Sequence, residues 1–295
     1  MSNKAGWIKN PWGTIQVETV EKWVPSRGEL LVRVEAASFN PIDAKIQRYR
    51  SQYPIILGFT SARTVVSTGP GINSVQPGER VVVARWGQQA GEDPRFGALQ
   101  RAETTFADSA GLIANLATVI SALTIYMGLP KPPVAGTKPP TGKKILVYGG
   151  LSAVGGFAVQ YATDAGYGVL TTSSAANRSM VEKRNPTHII DHSRPDEDVI
   201  REIRENGPYE GIFLKQSAPP QQPDAWFFST SPSPGDEAIP LGIEKLWAGY
   251  SEILVSQAAH RELRTWYMNA YLPAAPKKGT IWPIRGRKVF INPKE

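Results

Sequence analysis

The stretch ILVYGGLSAVGGFAVQYA, residues 145–162, decides how the 295-residue chain is read. It opens on a β-branched apolar run, passes glycines at 149, 150, 155 and 156, and continues into apolar, helix-compatible sequence. A strand ending at Gly149 and a helix beginning near Val154 gather several backbone N–H groups at the positive end of a helix, where a pyrophosphate can sit. Glycines there let a ligand approach the backbone with no Cβ in the way. The strict G-x-G-x-x-G spacing is not met, and glycines also close strands for steric reasons alone. Taken by itself, the turn is either a dinucleotide grip or a tight strand-to-helix connection.

Working outward toward the carboxyl end, strand and helix signals alternate. KILVYGG reads as a strand, VGGFAVQYATDAG as a helix closed by Gly166, and YGVLTTSS as a strand. NRSMVEKRN then reads as a helix, THIIDHS as a strand, DEDVIREIRENG as a helix closed by Gly207, and EGIFLKQS as a strand. This repetition predicts a parallel sheet covered on both faces. In a doubly wound sheet the end of the second strand meets the adenosine ribose, and an acidic residue there binds the free 2′-hydroxyl of NAD. Here the segment is TTSSAANR. Ser173, Ser174, Asn177 and Arg178 offer neutral donors and a cation that suit a 2′-phosphate, which makes NADP(H) the expected cofactor. The same residues also suit capping of a helix that starts near Asn177. The candidate cradle is Gly149, Gly150, Leu151, Ser152, Ala153, Val154 and Gly155.

Toward the amino end the texture is mainly β. ELLVRVEAAS (29–38) alternates as a half-buried strand, and RTVVSTGPGINSVQPGERVVVARW (63–86) reads as two strands around glycine- and proline-rich turns. Between the halves, LPKPPVAGTKPPTGKK (129–144) breaks regular structure and marks a linker or domain edge. Just before it, AGLIANLATVISALTIYMGL (110–129) carries no charge. Its polar residues Asn115, Thr118, Ser121 and Thr124 rotate around a helix, which favours a buried core helix over a membrane span.

Composition removes several chemistries. The chain has no cysteine, hence no disulfide, thiolate nucleophile or cysteine-containing zinc site. Of the histidines His188, His192 and His260, the first two alone stand at helix-face spacing, and no metalloprotease signature surrounds them, so no metal site is expected. MSNKAGWIKNPWG has no apolar core after its basic residues and reads as the start of a soluble, cytoplasmic chain with no secretory signal. The net charge of +7 is scattered among acids, which points away from nucleic acid and leaves either a solvated surface or attraction to phosphate-bearing cofactors or an acidic carrier protein.

FNPIDAKIQ, YPIILGFTSARTVVSTGPGINSVQPGERVV, the proline-rich lead into the glycine turn, and GYGVLTTSSAANRSMV together resemble the medium-chain dehydrogenase/reductase superfamily. More narrowly, they are similar to its zinc-independent fungal branch of trans-acting enoyl reductases. The resemblance implies an α/β architecture. A shortened GroES-like β-barrel catalytic domain would occupy 1–108 and be completed by 280–295, where RGRKVFINP looks like the returning strand. A Rossmann NADP-binding domain would occupy 109–279. It further implies reduction of an enoyl or other α,β-unsaturated carbonyl substrate with NADPH, in polyketide or secondary metabolite biosynthesis.

Carried over residue by residue, Lys45 in NPIDAK matches the lysine near the nicotinamide. It would hydrogen-bond a thioester or ketone oxygen and stabilise the developing enolate; the alternative is a surface lysine. Ser121 stands where the branch has a hydroxyl residue, usually threonine, and would support that oxygen or relay a proton; the alternative is a helix hydroxyl bonded back to its own backbone. His192 stands where a tyrosine lies near the cofactor. The resemblance also implies a small-molecule or carrier-bound acyl substrate, a polyketide synthase as partner, and a monomer or homodimer. EAIPLGIEKLWAGYSEIL (237–254) would serve as a dimer edge or a buried segment.

The chain departs from this pattern at Thr60 (acidic in relatives), Arg63 (glycine), Leu214 (aspartate), and in shortened stretches before TTFADSAG, near APPQQPDAWFFSTSP and within TIWPIRGRKV, which runs almost directly into the returning strand. These departures keep two other readings open: a non-redox cyclase or isomerase reusing the fold, and an inactive binding or scaffold protein.

Overall fold

A computed structural model describes residues 4–22, 24–38, 40, 43, 53–56, 58, 60–84, 98–101, 111–214, 226–229, 244–246, 253–254 and 257–275. The described residues fall into two compact units, one built on the chain up to Ile113 and the other from Ala114 onward.

The first unit is antiparallel. A three-stranded sheet runs in the order β2 (Gln16–Thr19), β1 (Lys4–Ile8), β4 (Ile55–Ile56). A four-stranded sheet runs β3 (Leu30–Ser38), β5 (Thr60–Thr68), β6 (Arg80–Ala84), β7 (Ala98–Arg101). β3 is the strand expected from alternation, and β5 and β6 are the two expected around the glycine- and proline-rich turns. The glycine turn between β5 and β6 works because Gly78 takes φ +90°, a conformation without penalty only when no Cβ is present. Val65, Val81 and Val83 form a buried cluster against Leu30, Val32 and Val75. Each such valine contributes about 1.5–3 kcal/mol on burial.

The second unit holds a six-stranded, all-parallel sheet in the order β10 (His188–Asp191), β9 (Gly168–Ser173), β8 (Lys144–Tyr148), β11 (Gly211–Leu214), β12 (Trp226–Ser229), β13 (Glu244–Leu246). In chain order this is third, second, first, fourth, fifth, sixth, the doubly wound Rossmann arrangement whose strand order reverses at β8. The centre of β8 is apolar because both its faces are covered: Ile145, Leu146 and Val147 are buried. Leu146, Leu170, Ile190, Val199, Tyr209 and Ile212 form one core cluster beneath the flanking helix α4 (Asp196–Glu205).

The uncharged stretch folds as α1 (Ile113–Ile120), continued by a π-helical turn over Ser121–Tyr126. Leu116, Val119, Ile120, Ala122 and Leu123 are buried, as expected of a core helix. Among the described residues no helix is long and apolar enough to cross a membrane.

The proline-rich segment lies within the second unit and is strapped to the end of α2 (Ala153–Asp164). Lys138 N donates to Asp164 O at 2.8 Å and Thr141 N to Gly166 O at 2.8 Å, answering carbonyls that a helix end leaves open. Gly166, at φ +89°, closes α2 as expected, and a Cβ there would stand 2.4 Å from Pro139 O. The expected returning strand RGRKVFINP lies outside the described residues. β12 and β13 were not foreseen: WFFS is an unbroken apolar run and EKL is too short to show any period.

Candidate functional site

The β8–α2 connection combines a strand end, a glycine at positive φ and a capped helix. Gly149 takes φ +88°, and its N–H donates to Thr172 Oγ1 at 2.8 Å. Gly150 N donates to Thr172 O at 3.1 Å, and Ser152 N to Gly149 O at 3.0 Å. Ser152 is the N-cap of α2, its hydroxyl accepting from Gly155 N at 2.9 Å. With those donors engaged, the amides left without an acceptor among the described residues belong to Leu151, Ala153 and Val154, at the positive end of α2.

The glycines have more specific tasks than openness to a ligand. A Cβ at Gly155 would lie 2.3 Å from Gly149 O and 2.7 Å from Ser152 Oγ. One at Gly150 would lie 2.4 Å from Thr171 Oγ1 and 3.2 Å from Val181 Cγ1. Gly150 therefore lets β8 and β9 pack closely, and Gly155 lets the first turn of α2 fold back onto Gly149. Thr171 and Thr172, which sequence reasoning passed over, hold this arrangement: Thr171 Oγ1 donates to Val147 O at 2.6 Å across the two strands. Their signal was the unusual pair of buried threonines at the end of an otherwise apolar strand.

One strand over, β9 ends at Ser173, whose hydroxyl donates to Ser174 O at 3.2 Å. A single 3₁₀ turn over Ala175–Asn177 leads into α3 (Arg178–Glu182). Asn177 Nδ2 donates to Ser174 Oγ at 3.0 Å. Arg178 is half-exposed and tied back: Nη1 donates to Ile189 O at 3.2 Å, and Nε to Glu182 Oε1 at 3.1 Å. An exposed pair of this kind is worth about 0.3–0.5 kcal/mol, so a phosphate can displace Glu182 at small cost. His192, exposed at the end of β10, donates its amide to Ser173 O at 3.2 Å, and its ring meets Tyr148 edge-on with centroids 6.4 Å apart. Burial pushes the Tyr148 phenol above its ordinary range, aided by the negative charge of Asp196. The hydroxyl and amide of Ser193 hold the Asp191 carboxyl below its ordinary range.

The fold thus gathers Gly149–Gly155, Ser173, Ser174, Asn177, Arg178 and His192 at the carboxyl ends of β8, β9 and β10, beside the point where the strand order reverses. Ser121 belongs to the same unit. It is 0% exposed and its Oγ has no hydrogen-bond partner among the described residues. The reading of Ser121 as a hydroxyl bonded back to its own helix does not hold, whereas Thr118 does that job, donating to Ala114 O at 2.9 Å. Three residues on, Thr124 Oγ1 and Tyr161 OH share a 2.7 Å bond that pins the π turn to α2.

Lys45 and Leu214's side chain lie outside the described residues. Earlier in the chain, Asn40 N donates to Asp43 Oδ2 at 2.7 Å, and Asp43 N to Asn40 O at 2.9 Å. Asn40 Nδ2 also donates to Ser38 Oγ at 2.9 Å and to Thr60 Oγ1 at 3.4 Å, while the Ser38 and Thr60 hydroxyls share a bond. A neutral network thus surrounds Thr60. Among the described residues, no group of three His, Cys, Asp or Glu side chains is arranged to hold a metal ion.

Residues 26–130 match the alcohol dehydrogenase GroES-like domain family. A GroES-like antiparallel unit followed by a Rossmann sheet is the architecture of the medium-chain dehydrogenase/reductase superfamily, which the chain resembles. Among curated proteins it is similar to the dehydrogenase azaJ of Aspergillus niger, at 31% identity over 60% of this chain and 58% of the relative. It is also similar to the trans-enoyl reductase himH of Aspergillus japonicus, at 29% identity over 65% of this chain and 60% of the relative. The chain spans about three fifths of the length of these relatives. Among solved structures, the Escherichia coli quinone oxidoreductase complexed with NADPH superposes with a TM-score of 0.69, at 17% identity, over 95% of this chain and 89% of that one, a likeness of fold.

Proposed function

We propose that the chain is an NADPH-dependent, zinc-independent oxidoreductase that reduces an enoyl or other α,β-unsaturated carbonyl group. Its substrate is a small-molecule acyl compound, free or carried by a polyketide synthase. The observation that carries this reading is the set of unengaged amides of Leu151, Ala153 and Val154 at the start of α2, beside a second strand that ends in hydroxyls and Arg178 instead of an acid. That a fold relative, the Escherichia coli quinone oxidoreductase, is complexed with NADPH supports the choice of cofactor.

The residues present fit a dinucleotide. The α2 amides would bind its pyrophosphate, and Ser173, Ser174, Asn177 and Arg178 would surround the 2′-phosphate, with His192 alongside. When bound, NADPH supplies the hydride. In this reading, residues 1–108 with 280–295 form the catalytic domain and 109–279 the nucleotide domain. Lys45 donates a hydrogen bond to the substrate carbonyl oxygen and stabilises the negative charge it gains. Ser121, with a hydroxyl that no group among the described residues claims, supports that oxygen or passes it a proton.

The test is a titration of the purified chain with NADPH and with NADH, followed by nicotinamide fluorescence and by thermal melting. At a hundred times its dissociation constant a cofactor adds about 2.7 kcal/mol of stability. NADPH is expected to raise the melting temperature and to be consumed with an unsaturated thioester or ketone. Lys45→Ala should cut that rate by about 10²-fold. A melting temperature that neither nucleotide moves would remove the oxidoreductase reading.

A further inference from the structure

The GroES-like unit carries a cation that the chemistry above leaves unused. Arg63 stands on β5 opposite Val34 of β3 and Val81 of β6, on the face it shares with Ser61. Val81 is 1% exposed and Val34 53%, so Arg63 sits where the valine cluster gives way to solvent. Its Nε donates to Ser61 Oγ at 2.6 Å, and Ser61 is itself 5% exposed. Glu35 of β3 is committed elsewhere, accepting from Arg33 Nε at 2.8 Å and from Thr64 Oγ1 at 2.8 Å. Among the described residues no carboxylate pairs with Arg63, and its terminal N–H groups have no acceptor. Burial pulls the guanidinium below the ordinary arginine range.

A cation held against valines is costly unless an anion answers it. A guanidinium whose Nε is anchored still presents its two terminal nitrogens as a fork that matches a carboxylate or phosphate. We propose that Arg63, oriented by Ser61, is an anion-recognition site for a carboxylate or phosphate group on the ligand that enters the GroES-like unit. The proposal narrows the substrate class to acyl ligands that carry a negative charge. It rests on the reductase reading only for its link to turnover, since the site itself is read out without cofactor.

The experiment is isothermal titration calorimetry of the full chain at constant ionic strength, with no nicotinamide nucleotide present. The probes are but-2-enoate, inorganic phosphate and 4′-phosphopantetheine, against uncharged ethyl but-2-enoate and pantetheine. At least one anionic probe is expected to bind saturably, and its identity separates a carboxylate from a phosphate source. Arg63→Met should weaken that binding at least tenfold, Arg63→Lys at least threefold through loss of the fork, and Ser61→Ala by a smaller factor. If Arg63→Met does not fold, the Arg63→Lys constant decides: a threefold loss supports the site and an unchanged constant overturns it. The site is also overturned if no anionic probe saturates the wild type, if Arg63→Met binds like wild type, or if the uncharged probes bind as tightly. A failed NADPH titration would leave this result standing, and a failed anion titration would leave the cofactor reading standing.

Discussion

The two ends of the candidate nucleotide site are built from different materials. At the β8–α2 turn the ligand-facing donors are backbone amides, fixed by Gly149, by the Ser152 cap and by the close contacts that only glycine allows at positions 150 and 155. At the end of β9 the donors are side chains, and each is already bonded to a neighbour: Ser173 to Ser174, Asn177 to Ser174, Arg178 to Glu182 and Ile189. The first end is rigid before any ligand arrives, and it would grip the pyrophosphate of either nicotinamide dinucleotide. In the proposed reading the second would exchange weak local bonds for a phosphate and so would govern which dinucleotide is preferred. In that reading affinity and selectivity belong to separate structural elements.

The largest effect that tests this division is expected from Gly155→Ala. Its Cβ would press on Gly149 O, a backbone atom with no room to yield, at a cost of about 1–3 kcal/mol in stability. Because the same shift re-aims the Leu151–Val154 amides, affinity for NADPH and NADH should fall together, by about 100-fold or more, in a fluorescence titration. Undiminished binding would break the claim that the backbone end supplies the grip. A smaller and more selective effect is expected from Arg178→Met. Losing one charge-assisted contact, worth about 1.5–3 kcal/mol, should weaken NADPH by about tenfold while leaving NADH unchanged. Equal loss for both would mean that Arg178 holds the fold of the β9 end and does not sort cofactors.

The same contrast explains how much was legible beforehand. β8, β9, β10 and the helices around them announce themselves through apolar strand centres, helix-closing glycines and an acidic first turn at Asp196–Asp198. Local sequence is enough there because burial on both faces makes the strand centres apolar and each helix satisfies its own interior backbone. The glycine turn was also legible as a place, but the division of labour within it was not. Which amides are consumed by Thr172 and which remain free depends on a strand 23 residues away. β12 and β13 escaped notice because a four-residue and a three-residue strand carry no period, and parallel pairing supplies what the sequence pattern lacks. Arg63 stood out only as a departure from relatives. Its setting between a buried and an exposed valine follows from strand register, which composition does not contain.

Ser121 extends this into the balance between durability and use. A hydroxyl enclosed without a partner carries a desolvation penalty of about 1–3 kcal/mol that an alanine would not. Ser121→Ala should therefore melt a few degrees higher than the parent chain while turning over more slowly. Such a variant would mark the π turn as a place where selection has accepted a weaker protein in return for an idle proton-bearing oxygen.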